Sequence, residues 1–355
     1  RRVEAELGQP TVWRYIQAII HDLFPNDPDM WLPDQPMRRH HYLYGRTTYL
    51  TDDQTLNTLR DLHRQLAADQ AQQIGLLNPN GPGSWTHPHL DRVIHADGKV
   101  ITPLFRAKPG DTHINKITGE IRRLRADPDA ALHIEGTGEA VWGSKYVIIA
   151  TRGEQRNARI ILDAAHVVQP GNEAAHAVNM FTDLQPHIPG AQAVIYDGAL
   201  RGVHHQHFLR NLGLLTVSRV TAAQRVRNKQ GKTVAKVDKT TYIETKTIPT
   251  PSGPKTIKIF ARGGQAGIGE LADNGDLTFI PLPRIRTHRT QSKTGTYRWY
   301  NDHQLPDHHG NGTLTLRLHG NDDDTKRRLN RTENLRPIPA ADPDFEHLYR
   351  RRNDA

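Results

Sequence analysis

The chain has 355 residues, with 47 Lys and Arg against 38 Asp and Glu, a formal charge of +9 and a pI near 9.7. It has no cysteine, which excludes a disulfide framework, thiolate-bound zinc or iron–sulfur sites and any thiol nucleophile. No apolar run nears the roughly 18 residues that span a membrane, and no signal peptide opens the sequence, so the expectation is a soluble cytoplasmic protein.

Residues 1–90 read as a helical region. Thr11 caps an amphipathic run from Val12 to Phe24, ended by Pro25. A second helix is predicted from Asp52 to Leu77, with Leu56, Leu59, Leu62 and Leu66 on its apolar stripe. The turn-rich Asn78–Ser84 marks a boundary. DNA binding by this region is an open reading, since no turn pattern there marks a helix-turn-helix.

From residue 91 to 220 the period changes. Arg92–Leu104, Ala140–Thr151 and Ala158–Val168 read as strands, and a helix of about fourteen residues follows Asn172. Then come a strand at Ala191–Asp197, a helix at Arg201–Leu212 and a strand at Leu214–Val220. Three strands in a meander and two reached through helices predict a mixed sheet flanked by helices, the pattern of an RNase H-like α/β core.

Residues 221–335 alternate short β-like runs with Gly and Pro turns and read as a β-rich insertion. It holds most of the basicity. Between Arg225 and Tyr300, fifteen Lys and Arg face five acids, a local +10 that leaves −1 for the rest of the chain. Such a block points to a polyanion, most commonly nucleic acid. The plain alternative is a solvated basic β-surface with no specific partner. Residues 336–355 begin a last helix, with Asp342 as cap and Pro343 at its first position. Arg1 in place of Met, and a helix still running at Ala355, give the expectation that both ends are cut.

Metal-dependent phosphoryl transfer needs carboxylates converging from different elements. Asp97 lies in the first predicted strand before Gly98, and Asp197 ends an apolar strand before Gly198. Either acid alone equally suits a turn. Glu135, in an acid-Gly-Thr setting, is the alternative first acid, and Asp163 reads as a hairpin residue. His204 and His207 have helical spacing for a metal but no evident third ligand. Gly263–Gly269 reads as a turn, because no strand-then-helix context supports a phosphate loop. Trp299, with Tyr297 and Tyr300, suits either stacking on an unpaired base or a cross-strand aromatic cluster.

In order, the motifs are His95–Ile101 (HADGKVI), Asp127–Ala130 (DPDA), Gly143-Ser144-Lys145, Pro170–Asn172, Asp197 in VIYDGAL, and Tyr349 and Arg352 in the last helix. This succession resembles bacterial insertion-sequence DDE transposases over residues 90–220 and 342–355. Lys99 departs from it, standing where Thr is commoner.

The resemblance implies an RNase H-like catalytic domain that cleaves and joins DNA at transposon ends. It implies two Mg²⁺ ions, replaceable by Mn²⁺, held by Asp97 and Asp197, and a third acid four residues beyond Arg352, one past Ala355. Tyr349 and Arg352 would position DNA or the helix. Arg225, Arg227, Lys229, Lys232, Lys236, Lys239, Arg298 and Trp299 would contact DNA. A homodimer on double-stranded DNA, in the bacterial nucleoid and off the membrane, is the implied assembly. A catalytically inactive or domesticated DNA-binding descendant is the alternative, and an RNase H-fold nuclease acting on RNA or hybrids is a third class.

Overall fold

The structure, a computed structural model, describes residues 53–355 apart from 104–106, 125, 128–129, 135–138, 156–157, 168–170, 198–199, 221–222, 228–229, 231–232, 251–252, 272–276, 321–328 and 352–355. The predicted helix at Val12–Phe24 lies outside the described residues. Contacts divide the chain into Arg1–Leu62 and His63–Ala355, and the architecture below is that of the second unit. Among the described residues no helix is long and apolar enough to cross a membrane.

Helix α1 (Asp53–Gln73) buries Arg64, Ala67, Ala68 and Ala71, which recur at helical spacing. Of the predicted leucine stripe, Leu66 does not face the core, being 57% exposed. Three alanines let the helix lie close to the sheet, and Arg64 takes the remaining place in a buried ion pair.

The main sheet is mixed α/β. Its strands are β1 (Val93–Ile101), β4 (Ala131–Ile134), β5 (Ala140–Arg152), β6 (Arg159–His166), β7 (Ala193–Ile195) and β8 (Leu215–Val217). A small hairpin of β2 (Thr112–Ile114) and β3 (Ile121–Arg123) lies between β1 and β4 in the chain. β5 runs antiparallel to both β1 and β6, and pairs with β4 through its first four residues. β1–β7 and β7–β8 are parallel. The parallel steps need crossovers, which α2 (Glu173–Leu184) and α3 (Gly202–His207) supply. α3 continues as a π-turn over Phe208–Leu212, and Gly213 ends it in a left-handed conformation.

Side chains alternate across this sheet. Ile94, Ala96, Val194 and Tyr196 join one core with the alanines of α1 and with Ala177, Phe181 and Leu184 of α2. Val93, Ala193, Ile195, Leu215 and Val217 face the other way, into a second core shared with the β-rich segment.

That segment forms a hairpin of β9 (Ala223–Arg227) and β10 (Thr233–Asp238). A four-stranded meander follows, of β11 (Thr241–Thr250), β12 (Gly253–Arg262), β13 (Gln265–Leu271) and β14 (Leu277–Pro281). A three-stranded sheet completes it, of β15 (Arg284–Gln291), β16 (Tyr297–Gln304) and β17 (Thr313–Arg317). The turn predicted at Gly263–Gly269 is a turn only at Gly263–Gly264; the rest is β13. Gly267 and Gly269 are needed there because the rings of Phe279 and Phe260 occupy the space that a Cβ would fill. Two short helices follow, α4 (Asn330–Asn334) and α5 (Pro343–Tyr349).

Candidate functional site

The parallel register between β1 and β7 pairs Val93 with Ala193, Ile94 with Val194 and His95 with Ile195. β7 ends at Ile195, so Asp197 lies two residues past the paired stretch, as Asp97 does on β1, and the charges of both act on the Tyr196 phenol. Both aspartates are half-buried. On β1, Asp97 is on the side of Val93 by strand alternation, and Val93 belongs to the core that also holds Phe345, Leu348 and Tyr349 of α5. Two acids a hundred residues apart in sequence thus lie just past the paired stretch of two neighbouring parallel strands, and α5 packs on β8.

The opposite face carries a carboxylate that sequence reasoning missed. Glu173, at the start of α2, pairs with Lys145 Nζ at 2.5 Å and accepts the Tyr196 hydroxyl at 3.0 Å. Gly98 is required beneath it, since the Glu173 carboxylate fills the space of a Gly98 Cβ. Burial first, then the charges of Glu173, Asp197 and Asp97, hold the Tyr196 phenol protonated far above its usual range. The signals were the Asp-Gly pair and the strand lysine of Gly143-Ser144-Lys145, but their meeting point lies on another helix.

Asp163 lies in the second strand of the antiparallel β5–β6 hairpin. It is fully buried within β6, where a bulge interrupts the pairing with β5, and Arg64 pairs with it at 2.9 Å. Arg64 also reaches Asp183 at 3.2 Å. Glu135, the alternative first acid, lies outside the described residues.

The β-rich segment fixes the last helix. Asp342 caps α5 by accepting the Asp344 N–H at 3.0 Å, with Pro343 following as expected. Arg284 of β15 holds that cap, donating to Asp342 at 2.6 Å and to Asp344 at 2.7 Å. Burial alone would lower the Arg284 pKa, but the bonds and charges of Asp342 and Asp344 outweigh it and raise the pKa. Tyr349 is buried and stacked on Phe345 at 4.7 Å, with the Arg219 guanidinium 5.0 Å from its ring centre. It therefore orients the helix. Just beyond, Arg351 donates to Gly153 O at 3.1 Å.

The other DNA-contact candidates divide. Trp299 is a core residue: it is fully buried, and its indole N–H donates to Leu209 O at 2.6 Å. Burial leaves it no face for base stacking, and across the strand it is opposite Arg289 and not another ring. Arg298, its neighbour in β16, is exposed, as is Lys239. Arg225 and Arg227 lie on β9, and the β9–β10 register sets Arg225 opposite Lys236. Lys229, Lys232 and Arg352 lie outside the described residues.

Among the described residues, no group of metal-ligating side chains includes His204 or His207. Between them, His205 is fully buried, bonded to Thr216 Oγ1 and, at 2.9 Å, to Thr332 O. Burial first, then the Arg336 charge, holds its pKa well below the ordinary histidine value. The chain matches no protein-family model and no curated protein sequence.

Proposed function

We propose that the protein is a DDE-type transposase, acting on DNA by metal-dependent phosphoryl transfer. The observation that carries this reading is the placement of Asp97 on β1 and of Asp197 two residues past the end of the neighbouring parallel strand β7, each close enough to act on the Tyr196 phenol. The strand order β6-β5-β1-β7-β8, antiparallel through the first three and parallel through the last two, supports an RNase H-like core. The motif order supports the transposase within that class.

Two half-buried carboxylates from neighbouring parallel strands would make a hard, all-oxygen donor set, which fits Mg²⁺ and not a softer metal. Asp97 and Asp197 would hold it. Bound there, the ions would activate a water or a 3′-hydroxyl and stabilise the leaving oxygen. The rest of the chain keeps that donor set in place. The Lys145–Glu173–Tyr196 group ties β5 to the chain just after β7, and Arg284 fixes the start of α5, which packs on β8. Exposed cations such as Lys239 and Arg298 would contact phosphates.

The test is Mg²⁺- or Mn²⁺-dependent nicking of duplex DNA by the protein of the full reading frame. Nicking that Asp197→Asn abolishes supports the proposal. Nicking that survives that substitution overturns the mechanism. Salt-sensitive DNA binding with no cleavage favours the inactive, DNA-holding alternative, which Lys99 in the first motif suits.

A further inference from the structure

The β-rich segment brings together three ligating side chains that the proposed reaction does not use. Glu270 sits on β13, held by its pairing with Thr278 of β14. His308 and His309 occupy the 3-10 turn Asp307–His309, between β16 and β17. Pro306 enters that turn and Gly310 leaves it at a φ of 92°. It is closed by His309 N–H to Pro306 O at 2.8 Å and Gly310 N–H to Asp307 O at 2.9 Å. A short, internally bonded turn thus presents two adjacent imidazoles to one carboxylate.

Their geometry exceeds a simple hydrogen bond. Glu270 Oε1 lies 3.0 Å from His309 Nε2 and 3.7 Å from His308 Nε2. All three ligating atoms lie within 4.8 Å of one another. One imidazole N–H on a carboxylate oxygen is ordinary, but a second imidazole turned to the same oxygen is not explained by it. Tetrahedral zinc, with bonds of about 2.0–2.1 Å to nitrogen and oxygen, separates its ligand atoms by roughly 3.3 Å. That lies between the two spacings. The His309 side chain is only 2% exposed, and its Nδ1 has no hydrogen-bond partner.

We propose that Glu270, His308 and His309 form a Zn²⁺ site. Two imidazoles and one carboxylate suit zinc better than Mg²⁺, which prefers oxygen throughout. The Glu270 and His308 side chains are 43% and 56% exposed, so the fourth position opens to solvent and takes water. Lys255 and Lys258 line the adjoining hollow of about 300 Å³, and their charge opposes the cation, an effect that Glu270 counters. The consequence is mechanical. β13 belongs to the four-stranded meander and the histidine turn to the three-stranded sheet, so the ion ties the two sheets together.

The experiment is titration of the chelator-stripped protein with Zn²⁺ alone, by calorimetry, and with Co²⁺, by visible absorption. The expected result is one high-affinity ion per chain and the absorption band of tetrahedral Co²⁺. Zn²⁺ should also raise the melting temperature. Glu270→Gln and His308→Ala, both at exposed side chains, should each weaken Zn²⁺ binding by at least about tenfold, since even outer-shell partners are worth that much. The double variant Asp97→Asn, Asp197→Asn should bind Zn²⁺ as the parent does, which separates this site from the proposed Mg²⁺ site. Failure to take up one Zn²⁺ per chain, or uptake undiminished in both single variants, overturns the proposal.

Discussion

The mixed sheet and the β-rich segment handle charge differently. In the sheet, ion pairs join the buried Arg64 with the buried Asp163 and the half-buried Lys145 with the half-buried Glu173, and Asp97 and Asp197 are half-buried as well. The β-rich segment carries the +10 block between Arg225 and Tyr300, yet part of that charge holds the fold. Arg284 serves the cap of α5, and Arg286 pairs with Asp302 at 2.7 Å. Arg289 lies among Trp85, Tyr297 and Trp299, its guanidinium 3.8 Å from the Trp85 ring centre. Burial pushes the Arg289 pKa down to about 10. A charge count therefore overstates the surface left for phosphates. The two regions also share one core, in which Ile195 and Val217 of the sheet join Ile259, Trp299 and Leu316. The β-rich segment is packed onto the acid-bearing face.

The comparison breaks first at the acids. Asp97→Asn and Asp197→Asn should each lower metal-dependent nicking by at least about a thousandfold while leaving the melting temperature close to the parent's, because such ions supply several kcal/mol to the transition state. Equal activity in either variant would make the two aspartates structural.

Next in size is the brace between the regions. Arg284→Met should cost about 3–5 kcal/mol in urea unfolding, because it strands Asp342 without its buried partner. A cost comparable to an exposed ion pair, below about 1 kcal/mol, would mean that the β-rich segment does not hold α5.

Acid tests the shared packing. His303 is buried beneath the Leu282 carbonyl, and burial above all lowers its pKa from 6.5 to about 4. The unfolded chain then binds the proton more readily, so the stabilisation is complete above pH 6.5. It should be lost as pH falls towards 4, by up to about 3 kcal/mol. His303→Gln should flatten that slope in urea midpoints measured across the window.

Smaller effects sharpen the division among the aromatic and basic residues. Trp299→Phe should cost about 1–3 kcal/mol of stability through the orphaned Leu209 carbonyl, with DNA affinity unchanged. Lys239→Ala and Arg298→Ala should leave stability alone and each reduce the salt slope of DNA binding by about 1. A salt slope unmoved by both would remove these two cations from the proposed contact surface.

Much of the sheet was legible. β1, β5 and β6 begin within a residue or two of their predicted starts, because their β-branched runs are dense and local. The start of α5 was legible for the same reason, since Asp342 and Pro343 act on their own backbone. β13 was hidden because its glycines are explained only by Phe260 and Phe279 on the neighbouring strands. Leu66 misled because the neighbouring alanines, Ala67, Ala68 and Ala71, are the residues that join the core. Glu173 was missed because its partners come from β5 and from the residue after β7.

By itself the sequence determined what short range decides: where strands and helices start, which residues are acids next to glycine, and where positive charge accumulates. Only the tertiary structure decided which of those residues meet. Strand pairing set β1, which carries Asp97, beside β7, which Asp197 follows; folding joined Glu173 to Lys145 and Tyr196; and packing buried Trp299 and the Arg284 side chain while leaving Arg298 outside. Those outcomes depend on side chains tens to hundreds of residues apart, whose contacts exist only once the shared core has formed.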